Sequence, residues 1–126
     1  MSENEISRIV LESAIKIHKK LGPGILESVY EHILFYELTK VNGLFVEKQK
    51  PIKFFWEDEP LDFAFRLDLL VENKVIIELK SVESLNNVHY KQLLTYLKVT
   101  DLKLGLLINF NESLLKDGFK RIVNNL

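Results

Sequence analysis

Apolar residues recur with a helical period over the first forty positions of the chain. From Ser2 to Leu21 this period predicts an amphipathic helix whose apolar positions are Ile6, Ile9, Val10, Ala14, Ile17 and Leu21. Ser2 and Glu5 have capping-box spacing at its start, and Gly22-Pro23-Gly24 predicts its end. A second helix is predicted from about Leu26 to Val41, with an apolar stripe of Leu26, Val29, Tyr30, Ile33, Leu38 and Val41.

The period then changes to two, which predicts strands. We expect a short strand at Phe45–Lys50 and another around Ile52–Trp56, with Pro51 indicating an edge or a bulge. Glu57-Asp58-Glu59-Pro60 predicts a turn. A longer strand is predicted at Leu61–Val71, with one face formed by Leu61, Phe63, Phe65, Leu67, Leu69 and Val71 and the other by Asp62, Ala64, Arg66, Asp68 and Leu70.

The second half of the chain predicts a strand, a helix and two further strands. Val75–Val82 is apolar on both faces apart from its charges, which is typical of a central strand. A helix is expected from a cap within Ser84–Asn87 to about Val99, and a buried strand at Leu104–Phe110, which makes a right-handed βαβ unit. A last strand is predicted at Phe119–Val123. These elements predict one α/β domain over residues 1–126, with a mixed sheet flanked by helices.

Composition excludes several classes of protein. The chain has 126 residues, of which 47% are hydrophobic and 28% charged, as in globular domains. It has no cysteine, which excludes disulfides and thiolate zinc sites and fits a cytoplasmic location. There is no signal-peptide pattern and no apolar run near the roughly 20 residues of a membrane span, so we expect no membrane partner.

The formal net charge of the chain is −1, so its total charge does not indicate a strongly basic protein that binds nucleic acid. Attraction to phosphate therefore depends on local clusters of basic residues. Two such clusters are Lys48, Lys50 and Lys53, and Lys116, Lys120 and Arg121. The simpler interpretation of both is a solvated surface.

Three charged residues lie inside the predicted strands, where charges are rare unless they are paired. A three-residue turn, Glu72-Asn73-Lys74, would pair Val71 with Val75 and set Asp68 opposite Glu78. Opposed carboxylates repel, and Mg²⁺ or Mn²⁺ bound to both of them and to the Leu79 carbonyl would remove that repulsion. The alternative is the other register, with Asp68 acting as a cap or paired with Arg66 or Lys80.

Lys80 is the third of these charged residues, two positions after Glu78 and so on the same face of the strand. Its ammonium group there can hold a water molecule or stabilise the charge that builds on a pentavalent phosphate. The alternative is an ion pair with Glu78 or Asp68.

The third predicted helix carries a second, polar stripe, because His89, Gln92 and Tyr96 recur at positions i, i+3 and i+7. His89 can bind phosphate or carry a proton. The alternative for this lone histidine in a first helical turn is a structural role. His18 and His32 are interpreted as surface residues.

Asp68 followed by Glu78-Leu79-Lys80 across a hairpin resembles the PD-(D/E)XK nuclease superfamily, although Leu67 replaces its proline. The restriction-endonuclease-like αβββαβ core of that superfamily matches the predicted elements, with an extra N-terminal helix and a C-terminal strand. The segment Leu21–Tyr30 is similar to the signature of the bacterial GxxExxY proteins, a branch of the superfamily, with Gly24, Glu27 and Tyr30 at its named positions. Two later segments also resemble that branch, namely Leu106–Phe110 and Lys116–Ile122.

The resemblance adds three residues to the predicted site. It implies that Glu27 approaches the metal or its waters, whereas without it Glu27 is a carboxylate favoured by the helix dipole. Gln92 and Tyr96 look like the Q-x-x-x-Y element of exonuclease-type members. Gln92 would then position the attacking water or a phosphate, and Tyr96 would contact the DNA backbone. The alternative for Tyr96 is a half-buried helix aromatic.

These observations together predict a metal-dependent nuclease that hydrolyses phosphodiester bonds in DNA with one or two Mg²⁺ or Mn²⁺ ions. The predicted catalytic residues are Asp68, Glu78, Lys80, Glu27 and Gln92, the metal ligands are Asp68, Glu78, Leu79 and Glu27, and the substrate-binding residues are Tyr96 and His89. The alternative is a non-catalytic nuclease-fold binding or regulatory module in a nucleic-acid-processing or defence system, which the near-neutral charge favours. A weaker third hypothesis is a hydrolase of a small phosphorylated molecule. Phe54-Phe55-Trp56 offers an apolar surface for a homodimer.

Overall fold

A computed structural model describes residues 1–62 and 64–126 of the chain. Its helices are α1 (Glu3–Leu21), α2 (Glu27–Tyr36) and α3 (Asn87–Thr100), with a π-helical turn at Glu37–Val41 and a 3₁₀ turn at Leu115–Gly118. Its strands are β1 (Val46–Ile52), β2 (Phe55–Trp56), β3 (Glu59–Pro60), β4 (Phe65–Val71), β5 (Val75–Lys80), β6 (Leu104–Asn109) and β7 (Phe119–Val123). Within these ranges no helix has the length and apolar character needed to cross a bilayer.

Five of the strands form one mixed sheet in the order β1-β4-β5-β6-β7. Only β5 and β6 are parallel, and α3 connects them, so the predicted βαβ unit is present. The prediction that β5 is central is confirmed, as is the edge position of the strand that contains Pro51. The predicted break at Pro51 is wrong, because β1 runs through it to Ile52. At a sheet edge the missing N–H of proline need not cost a ladder hydrogen bond.

Two apolar clusters cover the two faces of the sheet. Helices α1 and α2 pack on the first face, where the most buried residues include Ile6, Val10, Tyr30, Leu34, Leu69, Ile77 and Phe110. Helix α3 packs on the second face, with Leu67, Leu70, Ile76, Leu93, Leu97 and Leu107. The sheet is therefore covered on both sides, which explains why β5 and β6 are apolar at almost every position.

Helix α1 begins as predicted, since Glu5 N–H donates to Ser2 Oγ (3.1 Å) and Ser2 N–H donates to Glu5 Oε1 (3.2 Å). The interpretation of His18 as a surface residue is wrong. It is buried, and its Nε2 lies 2.7 Å from the carbonyl oxygen of Glu112. A carbonyl only accepts, so Nε2 carries the proton that this hydrogen bond uses.

Helix α2 and the π-helical turn after it confirm part of the predicted stripe, since Tyr30 and Leu38 are buried as predicted. Tyr30, Leu34 and Leu38 are fully buried at a spacing of four residues, whereas Leu26, Val29 and Val41 are exposed. Leu26 only caps the helix, and the π-helical turn at Glu37–Val41 changes the direction of the side chains that follow. His32 is exposed, as predicted.

The connection from β1 to β4 differs most from prediction. Strand β4 starts at Phe65 rather than Leu61, because Leu61 N–H donates to Phe54 O (2.7 Å) and Ala64 N–H donates to Leu61 O (3.1 Å) in a turn. The predicted strand around Ile52–Trp56 is reduced to β2, which pairs with β3 in a separate two-stranded hairpin. Because β3 is Glu59–Pro60, half of the predicted turn at Glu57–Pro60 is strand. The prediction for Phe63 lies outside the described residues.

The hairpin of β4 and β5 has the predicted three-residue turn. Val71 pairs with Val75, and the ladder continues through Leu70↔Ile76 and Leu69↔Ile77. Asn73, in the middle of this turn, has a left-handed conformation with φ 55°. The predicted face of two residues is wrong, because Phe65 and Leu67 pack with Leu70 in the second cluster rather than with Leu69. The alternation is interrupted at Asp68, opposite the irregular backbone of Gln49 (φ 48°).

The last third of the chain follows the prediction closely. Asn86 caps α3, and Leu93 and Leu97 are fully buried in the second cluster. The final strand covers the predicted Phe119–Val123 and pairs antiparallel with β6. Asp117 and Gly118 belong to the 3₁₀ turn that precedes this strand.

Candidate active site

The acidic pair lies at the open end of the β4–β5 hairpin, one step beyond the last ladder pair. In the register of the hairpin, Asp68 is opposite Glu78. Asp68 N–H donates to Glu78 Oε2 (2.9 Å), and Leu79 N–H donates to Asp68 Oδ2 (2.9 Å). Each carboxylate thus accepts a backbone N–H of the neighbouring strand, so side chains replace the backbone ladder at this point.

Burial makes the ionised pair unfavourable. Glu78 is only 5% exposed, and burial, with the nearby charge of Asp68, raises its pKa to about 8. Burial also raises the pKa of the Asp68 carboxyl, although the hydrogen bond from Leu79 and the charge of Lys80 act against the shift. A buried acid and a half-buried acid that repel each other form a site that a cation would stabilise.

Lys80 ends β5 next to the pair without neutralising it. Its charge acts to lower the pKa of both Asp68 and Glu78, so its ammonium group is close to them. Among the described residues, however, salt bridges join only Lys16 to Glu37 and Lys50 to Glu47. The predicted alternative of an ion pair between Lys80 and either carboxylate is therefore not formed.

Glu27 approaches the site from the first turn of α2. Its Oε1 accepts the N–H of Ser81 (3.2 Å), the residue directly after Lys80, and Ser81 Oγ donates to the carbonyl of Ile25 (2.8 Å). The charge of Glu27 contributes to the raised pKa of Asp68. A cavity of about 550 Å³ lies beside Glu27 and is lined by Gly24, Ile25, Leu26, Glu27, Ser28, Ser81 and Asn111.

Two further residues, neither of them predicted for the site, join the network. Gln49 Nε2 lies 2.7 Å from Glu31 Oε1 and 3.4 Å from Asp68 Oδ1. Burial raises the pKa of Glu31, and Asp68 adds to that shift. Glu31 follows Glu27 by one helical turn, which is a signal that it shares that face. Gln49 carried no such signal, because no short turn sets the register of β1 against β4.

Of the predicted residues on α3, Tyr96 lies close enough to the carboxylates for their charges to affect its hydroxyl. Tyr96 is buried, and burial raises the pKa of its hydroxyl with smaller contributions from the charges of Glu78 and Asp68. Its ring packs edge-on against Phe65 at 5.7 Å. Gln92 lies one turn earlier and is exposed. His89 Nδ1 accepts the N–H of Asn86 (3.2 Å), so its ring caps the helix.

The donor set fits a hard divalent cation with few protein ligands. No group of three His, Cys, Asp or Glu side chains in residues 1–62 and 64–126 is arranged to hold a metal ion. The carboxylates joined at the hairpin are therefore a pair, Asp68 and Glu78, and Glu27 is hydrogen-bonded nearby to Ser81 N–H. In an extended strand the N–H and C=O of one residue point the same way, so the Leu79 carbonyl also faces β4. Carboxylate and carbonyl oxygens are ligands that Mg²⁺ and Mn²⁺ accept.

The mixed sheet between helices, with its acidic pair and lysine on β4 and β5, defines a restriction-endonuclease-like fold. A family model for the PD-(D/E)XK nuclease superfamily matches residues 4–122, and the chain belongs to that superfamily. This confirms the predicted fold and superfamily. Members of the superfamily typically use divalent metal ions. Comparison with curated proteins and with solved structures found no match.

Proposed function

We propose that this protein is a metal-dependent nuclease that hydrolyses phosphodiester bonds in DNA. The observation that carries the proposal is the pair of carboxylates at the open end of the β4–β5 hairpin. Asp68 and Glu78 are held by reciprocal backbone hydrogen bonds and lack a salt-bridge partner among the described residues. A purely structural role does not explain such a pair, because burying two like charges costs stability.

Asp68, Glu78 and the Leu79 carbonyl would hold Mg²⁺ or Mn²⁺ in this proposal. When bound, the cation supplies positive charge that activates a water molecule and stabilises the charge on the phosphate. Glu78 Oε2 and Asp68 Oδ2 are fixed by backbone N–H groups, so little side-chain entropy is lost when the oxygens bind a cation.

Lys80 would act on the substrate itself. Its ammonium group is near both carboxylates but forms no salt bridge within the described residues, so it is available to a phosphate oxygen or a water molecule. Glu27 is held by Ser81 N–H and would orient waters at the site rather than bind the metal directly. We propose that Gln92 and His89 of α3 contact the substrate together with Tyr96.

A nuclease assay tests the proposal. Purified protein is incubated with Mg²⁺ or Mn²⁺ and with single-stranded, double-stranded and nicked DNA and with RNA. We expect cleavage of DNA that EDTA abolishes and that Lys80→Ala lowers on the order of 100-fold or more. Lys98→Ala, which removes an exposed lysine on α3, is the matched control and should cleave like the wild type. Activity that survives Lys80→Ala unchanged would indicate a contaminating nuclease.

Two observations favour a second candidate, a non-catalytic binding or regulatory module. The described residues contain no group of three potential metal-binding side chains, and the net charge of the chain is −1. Calorimetric titration with Mn²⁺ separates the two candidates. The nuclease proposal predicts uptake of metal by the intact protein, whereas a binding module need not take up any.

We further propose that the chain belongs to the GxxExxY branch of the superfamily. Residues of its signature hold the start of α2 in place, which supports the assignment. Gly24 has φ 91°, and Tyr30 is fully buried, donates from its hydroxyl to the Gly22 carbonyl and stacks on Phe110 at 4.3 Å. Tyr30→Phe should keep the stacking but release the loop, and hydrogen exchange at residues 22–26 measures that release.

Two lesser expectations accompany the proposal. The absence of cysteine supports a cytoplasmic location, which fractionation of cells would test. Phe55 and Trp56 are exposed on the β2–β3 hairpin, and the predicted homodimer would bury them. A monomer mass in light scattering would exclude that dimer.

A further inference from the structure

We propose that Gln49 is a positioning residue that holds the Asp68 carboxylate in place for a divalent cation. The inference rests on the proposed metal-dependent function and assigns a role to a residue on β1. It also gives Glu31 of α2 a role as the anchor of Gln49. Neither residue belongs to the acidic pair or to β5, the strand that carries Glu78 and Lys80.

The two oxygens of Asp68 are held from opposite sides. Oδ2 accepts Leu79 N–H from β5 at 2.9 Å, and Oδ1 lies 3.4 Å from Gln49 Nε2 on β1. The carboxylate is therefore held between the two strands that flank β4. Without Gln49 the group would keep one hydrogen bond and could rotate about it.

Glu31 fixes the donor. The Gln49 side-chain NH₂ carries two protons, so it can donate to Glu31 Oε1 at 2.7 Å and to Asp68 Oδ1 at the same time. Helix α2, which also provides Glu27, is thereby connected to the acidic pair through one amide. The shorter of the two contacts is the one to Glu31, so that carboxylate is the anchor.

The backbone of Gln49 supports a specific role for this side chain. It lies opposite Asp68 between the pairs Lys48↔Leu69 and Lys50↔Leu67, and its φ of 48° is in the left-handed region. A residue with a side chain rarely adopts this conformation, and it persists where the surrounding structure requires it. Glycine would relieve the backbone but would remove the donor.

An amide has the right charge for this position. It donates hydrogen bonds without bringing a positive charge, so Asp68 keeps the negative charge that attracts a cation. A lysine there would pair with Asp68 and compete with the metal, and a carboxylate would repel Asp68.

The test compares Mn²⁺ affinity by calorimetry in four proteins: wild type, Gln49→Gly, Gln49→Lys and the control Asn73→Gly. Asn73 is also left-handed (φ 55°) but lies in the exposed β4–β5 turn, so its glycine variant reproduces the backbone change alone. We expect Gln49→Gly to bind Mn²⁺ about 10-fold to 100-fold more weakly and Gln49→Lys more weakly still. Asn73→Gly should bind like the wild type, and the melting temperature of metal-free Gln49→Gly should stay close to that of the wild type.

The possible results separate this inference from the proposed function. If the wild type binds Mn²⁺ and Gln49→Gly binds it equally well, Gln49 has no positioning role and the proposed function stands. If folded wild-type protein takes up no Mn²⁺, the proposed function fails and this inference fails with it. Weakened binding in Gln49→Gly with an unchanged control supports both.

Discussion

The two halves of the β4–β5 hairpin have different roles, although the same two strands form both. Near the turn, the pairs Val71↔Val75, Leu70↔Ile76 and Leu69↔Ile77 form a regular ladder of buried apolar residues. One step further, the carboxylates of Asp68 and Glu78 take over the hydrogen bonds. The inner half stabilises the fold through burial, whereas the outer half places like charges where they oppose folding. A rigid apolar ladder thus holds an unfavourable acidic pair in position.

The largest expected effect is on cleavage, in the outer half. Asp68→Asn keeps the shape of the side chain but removes the charge that would hold the cation. We expect DNA cleavage under single-turnover conditions to fall by about 1,000-fold or more, the scale of effects at developing charges. Asp62→Asn, an exposed position before β4, should cleave like the wild type. Similar rates for Asp68→Asn and wild type would remove Asp68 from the active site.

The next largest effect is on stability, in the inner half. Ile77 is fully buried beside Leu69, and Ile77→Ala leaves a cavity. The free energy of unfolding in urea should fall by about 2–5 kcal/mol. Val88→Ala, at a position that is 70% exposed on α3, should change it by less than about 0.5 kcal/mol. Equal effects of the two substitutions would contradict the described burial.

In metal-free protein, stability should depend on pH because of the carboxylates in the outer half of the hairpin. Folded Glu78 keeps its proton up to a pKa of about 8, whereas its ordinary value is 4.5. Between these values the folded state binds more protons than the unfolded state, so the free energy of unfolding falls as pH rises. Asp68 shifts in the same direction.

Glu78→Gln removes this titration and tests it. Its unfolding free energy in EDTA should vary less between pH 4.5 and pH 8 and should exceed that of the wild type at pH 8, by a few kcal/mol in order of magnitude. Urea unfolding followed by circular dichroism across this range gives the comparison. A wild-type protein that becomes more stable as pH rises would contradict the assignment.

A smaller effect on stability is expected where a neutral side chain, rather than a neighbouring strand, supplies hydrogen-bond partners to the backbone. Asn109 is fully buried at the end of β6, accepts Val82 N–H (3.1 Å) and donates to Val82 O (3.0 Å). Asn109→Ala should lower the free energy of unfolding by about 1–3 kcal/mol, because both Val82 groups lose their partner. Unlike at Glu78, this loss should not depend on pH. Urea unfolding at pH 5 and pH 8 checks both points.

Local patterns sufficed to predict the elements that a turn or a cap determines. Ser2 and Glu5 predicted the start of α1, and the three-residue turn around Asn73 predicted the pairing of Val71 with Val75. That pairing follows from parity alone, because side chains alternate along a strand. It is also what sets Asp68 opposite Glu78, so the centre of the candidate site was predictable from the sequence.

Contacts between distant segments were beyond such patterns. The connection between Ile52 and Phe65 contains its own small hairpin, so no short loop sets Gln49 opposite Asp68. The left-handed backbone at Gln49 and the changed face of Leu67 have no counterpart in the hydrophobic pattern. The buried His18 forms its hydrogen bond with a carbonyl 94 positions later in the chain, a contact that no local rule anticipates.

A crystal structure with Mn²⁺, measured at a wavelength where manganese scatters anomalously, would show whether Asp68 and Glu78 hold a metal ion. We expect an anomalous peak bound by carboxylate oxygens of Asp68 and Glu78 and by the Leu79 carbonyl, with Gln49 still donating to Asp68. An ordered Asp68–Glu78 pair with no peak between them, at a Mn²⁺ concentration that supports cleavage, would contradict it.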